Sequence, residues 1–166
     1  LFTAFENPVL GMVVGAVLTA VIQSSSASVG ILQAMCATGS VTVGAALPVI
    51  MGQNIGTCVT ALLSGVGANR NARRASLVHL YFNLIGTFVF MTAFYTLNHF
   101  VQFAFLSDTA NGAVIAVIHS VFNIVATVVL LPASRLMEKL AYFTIPQSGD
   151  ETLETPGKTC VCGCTM

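Results

Sequence analysis

Apolar runs separated by short polar loops make up most of this chain. Residues 76–97 and 111–132 are two such runs, each about as long as the roughly 20 residues with which a helix crosses a bilayer. Residues 43–66 form a third run, which polar residues interrupt near its centre. The pattern predicts an all-α integral membrane protein in which about three helices cross the bilayer, one of them discontinuous.

An apolar segment at residues 9–38 is too short to cross the membrane twice. Its arms, residues 9–22 and 29–38, reach only about 21 Å and about 15 Å at the rise of an α-helix. Between the arms lies the polar sequence QSSSA, at residues 23–27. Non-helical backbone at membrane depth is tolerated only where it is buried in protein or lines a watery cavity. We therefore expect a re-entrant helical hairpin that enters from the outer face and turns at these residues.

The centre of the third run reads GQNIGT, at residues 52–57. Gly52 and Gly56 are four residues apart and Pro48 lies one turn earlier, so the helix is weakened where Gln and Asn would otherwise face lipid. This pattern predicts a helix break that meets the hairpin tip at mid-depth. The alternative is that the two glycines form a GxxxG motif for close helix packing.

Composition supports a membrane protein. Hydrophobic residues make up 55% of the chain and charged residues only 7%, against roughly a quarter charged in soluble domains. The net charge is zero, so there is no basic field to attract nucleic acid, and no nucleic-acid partner is expected. Residue 1 is Leu and no basic segment precedes the first apolar run. We therefore expect a piece of a longer protein, without a signal peptide at its start.

The positive charges predict the orientation in a cell membrane. Loop 67–74 carries three Arg, and Arg135 and Lys139 follow the last apolar run. Loop 98–110 carries Asp108 and no Lys or Arg. Because positive charge collects on the cytoplasmic side, loop 67–74 and the C-terminal tail are predicted to be cytoplasmic and loop 98–110 extracytoplasmic.

The chain divides into a membrane unit, residues 1–144, and a tail, residues 145–166, rich in Pro, Gly and charge. That composition predicts a flexible terminus. The tail ends in three alternating cysteines, a spacing that zinc sites rarely use and that does not match a prenylation box. Metal binding or acylation there remains an alternative, at Cys160, Cys162 and Cys164.

The polar groups expected at mid-depth are all neutral. Amide and hydroxyl oxygens suit sodium in broken-helix transporters, and hydroxyls with free N–H groups at a helix N-terminus suit an oxyanion. Helices that start at Ser28 and at Thr57 would direct two positive dipole ends at one volume. We therefore predict a binding site for an anion with accompanying cations. The alternative is that these side chains only bond back to their own helices. The groups concerned are Gln23, Ser24, Ser25, Ser26, Ser28, Gln53, Asn54, Thr57 and Thr60.

These motifs resemble the sodium/phosphate cotransporter family in its type II and bacterial forms. The resemblance covers residues 11–140 and rests on QSSSA, GQNIGT, the Arg-rich loop and an H-x-x-F-N helix. In that family the hairpin and broken-helix motifs occur twice, in inverted halves that jointly form the phosphate and sodium sites. This sequence has one copy of each motif. The resemblance therefore implies a single half, most similar to the second, with a companion inverted repeat in the same or another chain.

The resemblance implies sodium-coupled transport of inorganic phosphate, with sodium as coupling ion, no other cofactor or metal, and no enzymatic activity. The hairpin residues match one family motif, and Asn54 and Thr57 match the other. No residue matches the carboxylate that the family uses for a further sodium ion. We assign phosphate to Ser24, Ser25, Ser26 and Thr57, and sodium to Gln23, Gln53 and Asn54.

Other functions stay open at this point. One is a sodium-coupled carrier of another oxyanion, such as sulfate or a dicarboxylate, and another is a half-size membrane module that does not itself transport. An intramembrane serine enzyme is disfavoured, because there is no GxSxG motif and no acidic residue near His79 or His119. These histidines each precede an Asn by four residues, which favours interhelical hydrogen bonds over pH sensing.

Overall fold

A computed structural model describes residues 7–146, so the predicted tail lies almost entirely outside the described residues. The described chain is helical throughout, without a β-strand. Its six α-helices are α1 Pro8–Ile22, α2 Ser25–Ala37, α3 Val43–Gly65, α4 Arg70–Val101, α5 Gly112–Leu130 and α6 Ser134–Thr144. A short 3-10 segment, Ala104–Ser107, lies between α4 and α5, and another, Leu131–Ala133, joins α5 to α6.

Three helical segments are long and apolar enough to cross a membrane. They are α3, α4 and the segment Gly112–Thr144, which joins α5 to α6. Large apolar side chains on the outer helices are exposed, among them Phe88 on α4 and Val128 on α5. A soluble protein would bury such side chains, whereas a lipid-facing surface favours them. The predicted all-α class with three long apolar helices is confirmed.

Helix α3 lies at the centre and is continuous from Val43 to Gly65, so the predicted break at residues 52–57 is wrong. A Cβ at Gly52 would overlap the carbonyl oxygen of Met12, and one at Gly56 that of Ala16. On α1, a Cβ at Gly15 would in turn overlap the carbonyl oxygen of Val49 on α3. The glycines therefore allow α1 to pack directly on the α3 backbone, which is the GxxxG alternative.

The positions of the helix starts also differ from the prediction. Helix α2 begins at Ser25 rather than Ser28, because the Ser24 hydroxyl caps it by accepting from Ala27 N at 3.3 Å. No helix begins at Thr57, which lies inside α3 and donates its hydroxyl to the Gln53 carbonyl at 2.9 Å. Of the two positive helix ends predicted to meet there, only that of α2 is therefore present.

Loops on either side of α3 lie at opposite ends of the bundle. At one end the α2–α3 and α4–α5 loops pair, since Val43 N donates to the Asp108 carbonyl at 3.0 Å and Ala110 N donates to that of Val41 at 2.8 Å. At the other end, beside the α3–α4 loop, Arg74 Nε donates to the Ile145 carbonyl at 3.1 Å. This alternation agrees with the predicted crossings, while the side on which each loop lies stays a prediction.

Candidate functional site

A polar pocket of about 270 Å³ opens where α2 begins beside the middle of α3. Four helices contribute to it, and all the lining residues except Phe82 are polar and carry no formal carboxylate, ammonium or guanidinium charge. Three of the residues predicted from the sequence, Ser25, Asn54 and Thr57, are brought together here. The lining residues are Ser25, Asn54, Thr57, His79, Phe82, Asn83, His119 and Asn123.

The N-terminus of α2 supplies hydrogen-bond donors to this pocket. Ser25 is the first residue of the helix, and its hydroxyl makes no hydrogen bond to any other described residue. The first N–H groups of a helix have no partner within the helix, and the Ser24 cap satisfies only that of Ala27. The Ser25 hydroxyl and the positive end of α2 therefore form an arrangement that suits an oxyanion.

Helix α3 contributes a buried amide. Asn54 Nδ2 donates to the Ile50 carbonyl at 3.0 Å, and its Oδ1 lies 3.3 Å from His119 Nε2 on α5. The interhelical hydrogen bond expected of this histidine is thereby confirmed, whereas the His79 side chain makes no hydrogen bond to another described residue. Because an amide oxygen can only accept, this contact is a hydrogen bond in the tautomer that carries its proton on Nε2.

Two further asparagines, on α4 and α5, are held like Asn54 by a bond from the amide nitrogen to their own helix. Asn83 Nδ2 donates to the His79 carbonyl at 3.0 Å, and Asn123 Nδ2 donates to the His119 carbonyl at 2.7 Å. Since each amide nitrogen is held by its own helix, each Oδ1 points away from that carbonyl. Within the described chain, the Asn123 Oδ1 has no hydrogen-bond donor, so it is an available acceptor in the pocket wall.

The sequence reasoning did not place these four α4 and α5 residues in the site. The available signal was the repeated H-x-x-F-N pattern, at residues 79–83 and 119–123. On a helix, a spacing of four places the His and the Asn on the same face. A repeat of that polar face on two otherwise apolar helices favours a shared polar pocket over two separate packing contacts.

A second polar cluster lies buried between α1, α2 and α3. Thr19 Oγ1 donates to Ser28 Oγ at 2.8 Å, and Gln53 Nε2 donates to the Ser28 carbonyl at 3.0 Å. Gln53 is only 2% exposed, and its Oε1 has no hydrogen-bond partner among the described residues. An unpartnered buried acceptor of this kind is rare and requires an explanation.

Of the four remaining predicted residues, Gln23, Ser24 and Ser26 are exposed at the hairpin tip, and none of the four lines the pocket. Thr60 lies inside α3 and donates its hydroxyl to the Thr57 carbonyl at 2.7 Å. Gln23 adopts the left-handed conformation that reverses the chain, with φ 58°. No cluster of three or more His, Cys, Asp or Glu side chains within residues 7–146 is arranged to hold a metal ion.

Comparisons with known proteins agree with the sequence motifs. Residues 1–108 match the family model described as Na⁺/Pi-cotransporter. The uncharacterized protein YqeW of Bacillus subtilis (strain 168) is 33% identical over 135 residues, which cover 81% of this chain and 43% of that protein. Sodium-dependent phosphate transport protein 2B of Homo sapiens is 42% identical over 92 residues, 52% of this chain and 13% of that protein. Protein 2A of Rattus norvegicus is 42% identical over 92 residues, 52% of this chain and 14% of that protein. The chain thus spans less than half the length of these relatives, and no solved structure matches it significantly.

Proposed function

We propose, because this chain belongs to the Na⁺/Pi-cotransporter family, that it forms one half of a sodium-coupled transporter of inorganic phosphate. The observation that carries the proposal is the polar pocket that Ser25 shares with Asn54 and Thr57. Phosphate would lie at the N-terminus of α2, where the Ser25 hydroxyl and the first backbone N–H groups donate to its oxygens. The chain would act by binding and moving ions, without catalysing a reaction.

The asparagine oxygen in the pocket favours phosphate over sulfate. Hydrogen phosphate carries an O–H that can donate to Asn123 Oδ1, whereas sulfate has no proton at neutral pH. A site that accepts a hydrogen bond from its ligand binds an analogue without that donor more weakly, because the acceptor is then left unpaired. We therefore place phosphate ahead of the alternative oxyanions.

Sodium is best supported at Gln53. Its Oε1 is buried without a partner, and leaving such an acceptor unsatisfied costs about 1–3 kcal/mol. A sodium ion held by this oxygen and by the neighbouring hydroxyls of Thr19 and Ser28 would remove that cost, since hard cations prefer oxygen ligands. Asn54 Oδ1 contacts His119 and would have its second lone pair left for sodium. Gln23 would need further ligands from outside this chain.

The depth of the hairpin supports its assignment as a re-entrant element. Gly56 on α3 contacts Thr19 on α1, and the tip at Gln23 lies four residues, or about 6 Å, beyond that level. Helix α3 continues for nine residues past Gly56 to Gly65, or about 13 Å. The tip therefore ends short of the far side, as a hairpin that enters from the α2–α3 loop side would.

A companion inverted half would complete the site. Gln23, Ser24 and Ser26 are exposed at the hairpin tip, and in lipid their polar groups would be unsatisfied. Carriers built from inverted repeats place the substrate between two halves and alternate access by moving one against the other. We propose that these three residues face that second half. The Arg-rich loop 67–74 and the tail would lie in the cytoplasm and loop 98–110 outside, in a cell membrane.

Binding of radiolabelled phosphate to the purified chain tests the site. Phosphate should bind in sodium buffer and not in choline buffer. Ser25→Ala should weaken binding roughly 10- to 100-fold, the range for a hydrogen bond to a charged group. Ser64→Ala is the matched control, because Ser64 is exposed and lies outside the pocket. Equal affinity in the wild type and Ser25→Ala would exclude the α2 N-terminus as the phosphate site.

Reconstitution at less than one chain per vesicle tests the two-half architecture. Under an inward sodium gradient, the isolated chain should not accumulate phosphate, because alternating access requires a second half for the first to move against. Saturable sodium-dependent uptake at that dilution would show that one half suffices.

A further inference from the structure

A cavity of about 460 Å³ lies at the end of the bundle where α3 stops and α4 begins, away from the proposed phosphate pocket. Its lining has two kinds of wall. The polar wall includes Arg73, Ser76 and Thr144, and the apolar wall includes Leu62, Val66 and Leu77. An occupant that satisfies both walls must itself be amphipathic.

Hydrogen bonds hold the cavity walls in place. Arg74 donates to the Ile145 carbonyl and lies over the Tyr142 ring, 4.5 Å from its centroid, which fixes the end of α6 against α4. Ser76 Oγ donates to the Ala61 carbonyl at 2.8 Å, which joins α4 to α3. The cavity is therefore bounded by three helices that are tied together, and the α3–α4 loop contributes Val66 and Gly67.

The cavity is positively charged. Arg73 lines it, and the other lining residues carry no charge. Helices α3 and α4 contain no Asp or Glu, and the acidic residues of the described chain are Asp108, at the opposite end of the bundle, and Glu138, exposed on α6. No carboxylate on α3 or α4 is therefore available to neutralise Arg73.

We propose that this cavity binds an anionic phospholipid, with the lipid phosphate at Arg73 and an acyl chain along Leu62, Val66 and Leu77. The cavity lies at the end of α3, a helix long and apolar enough to cross a membrane. In a bilayer this end would lie where the headgroups meet the hydrocarbon. Val66 is 77% exposed, so the apolar wall is open to the surrounding lipid. Two other occupants fit less well. Free phosphate would satisfy only the polar wall, and the acidic part of the tail, around Asp150 and Glu151, has no acyl chain for the apolar wall.

Quenching by brominated lipids tests this proposal, because the chain contains no Trp. An indole is introduced at the cavity by Val66→Trp, or at the opposite end of α4 by the control Phe100→Trp. Each variant is reconstituted in equimolar phosphatidylglycerol and phosphatidylcholine, with one lipid brominated at a time. Quenching of the Trp at position 66 should indicate about fivefold enrichment of phosphatidylglycerol over phosphatidylcholine, which is the preference expected beside one Arg. The control at position 100 should show no preference.

A second substitution locates the preference. Arg73→Gln in the Val66→Trp background should abolish it, whereas Arg70→Gln should retain it because Arg70 does not line the cavity. Equal quenching by both lipids at position 66, or a preference that survives Arg73→Gln, would overturn the proposal. Loss of the preference on addition of inorganic phosphate would also overturn it, because it would indicate a site for free anions. A preference that appears only when the chain is truncated after Pro146 would overturn it as well, because it would indicate that the tail fills the cavity.

Discussion

Substitution of Gly52 by Ala should loosen the contact between α1 and α3. A Cβ at this position would overlap the Met12 carbonyl oxygen and lie 2.9 Å from Ala16 N. Both atoms belong to the α1 backbone, so no side-chain rotation relieves the overlap and the two helices must move apart. Overpacking of this kind costs about 1–3 kcal/mol, and we place this contact in the upper part of that range because it is backbone on backbone.

Ala also has a better helix propensity than Gly, by about 1 kcal/mol. The net destabilisation is therefore about 1–2 kcal/mol, which should lower the unfolding midpoint by roughly 2–8 °C for a chain of this size. Gly30→Ala is the matched control. Gly30 lies inside α2 with nothing within 4 Å of its would-be Cβ, so this substitution should leave the midpoint unchanged or raise it.

Thiol labelling during heating measures both midpoints. Cys36 and Cys58 are free and buried, and they become reactive toward a fluorescent maleimide when the bundle opens. The three tail cysteines, Cys160, Cys162 and Cys164, are first replaced by Ser to remove background labelling. If Gly52→Ala melts at or above the wild-type temperature, the glycine does not serve helix packing, and a role in weakening α3 would have to be reconsidered.

Three further outcomes follow from the structure. Gln53→Ala should weaken sodium activation of phosphate binding, whereas Gln33→Ala should not, because Gln33 bonds to the Gly112 carbonyl away from the buried cluster; equal sodium dependence would exclude Gln53 as a ligand. Single cysteines at Asn71 and Thr109 should label from opposite sides of the membrane, and labelling from one side would contradict a crossing α4. Arg74→Met should lower the unfolding midpoint by a few degrees, since it leaves the Ile145 carbonyl unpaired, and an unchanged midpoint would show that this bond contributes little.

The sequence by itself determined the class of the protein and its family. Long runs without charge cannot be stable in water, so their lengths predicted the three long apolar helices. The family followed from two short motifs whose residue order is specific, QSSSA and GQNIGT. The chain reversal at Gln23 and Ser24 also agreed with the sequence, because a polar segment between two apolar arms favours a turn.

Only the tertiary structure decided what the glycines of the second motif do. Gly52 and Gly56 weaken a helix in isolation, and the same lack of a side chain lets another helix approach its backbone. Local sequence does not distinguish these effects, because the difference depends on whether Met12 and Ala16 of α1 lie opposite. Met12 and Ala16 do lie opposite these glycines, and α3 is continuous.

The candidate site was likewise only partly determined by the sequence. The motifs singled out Ser25, Asn54 and Thr57, but His119 and Asn123 lie more than 60 residues further along the chain from Asn54. A pocket is a property of helices packed side by side, and which faces of α4 and α5 turn inward depends on contacts such as Phe90 against Phe122. Residues that are distant in sequence therefore meet only in the folded bundle, and packing decided which polar side chains share the pocket.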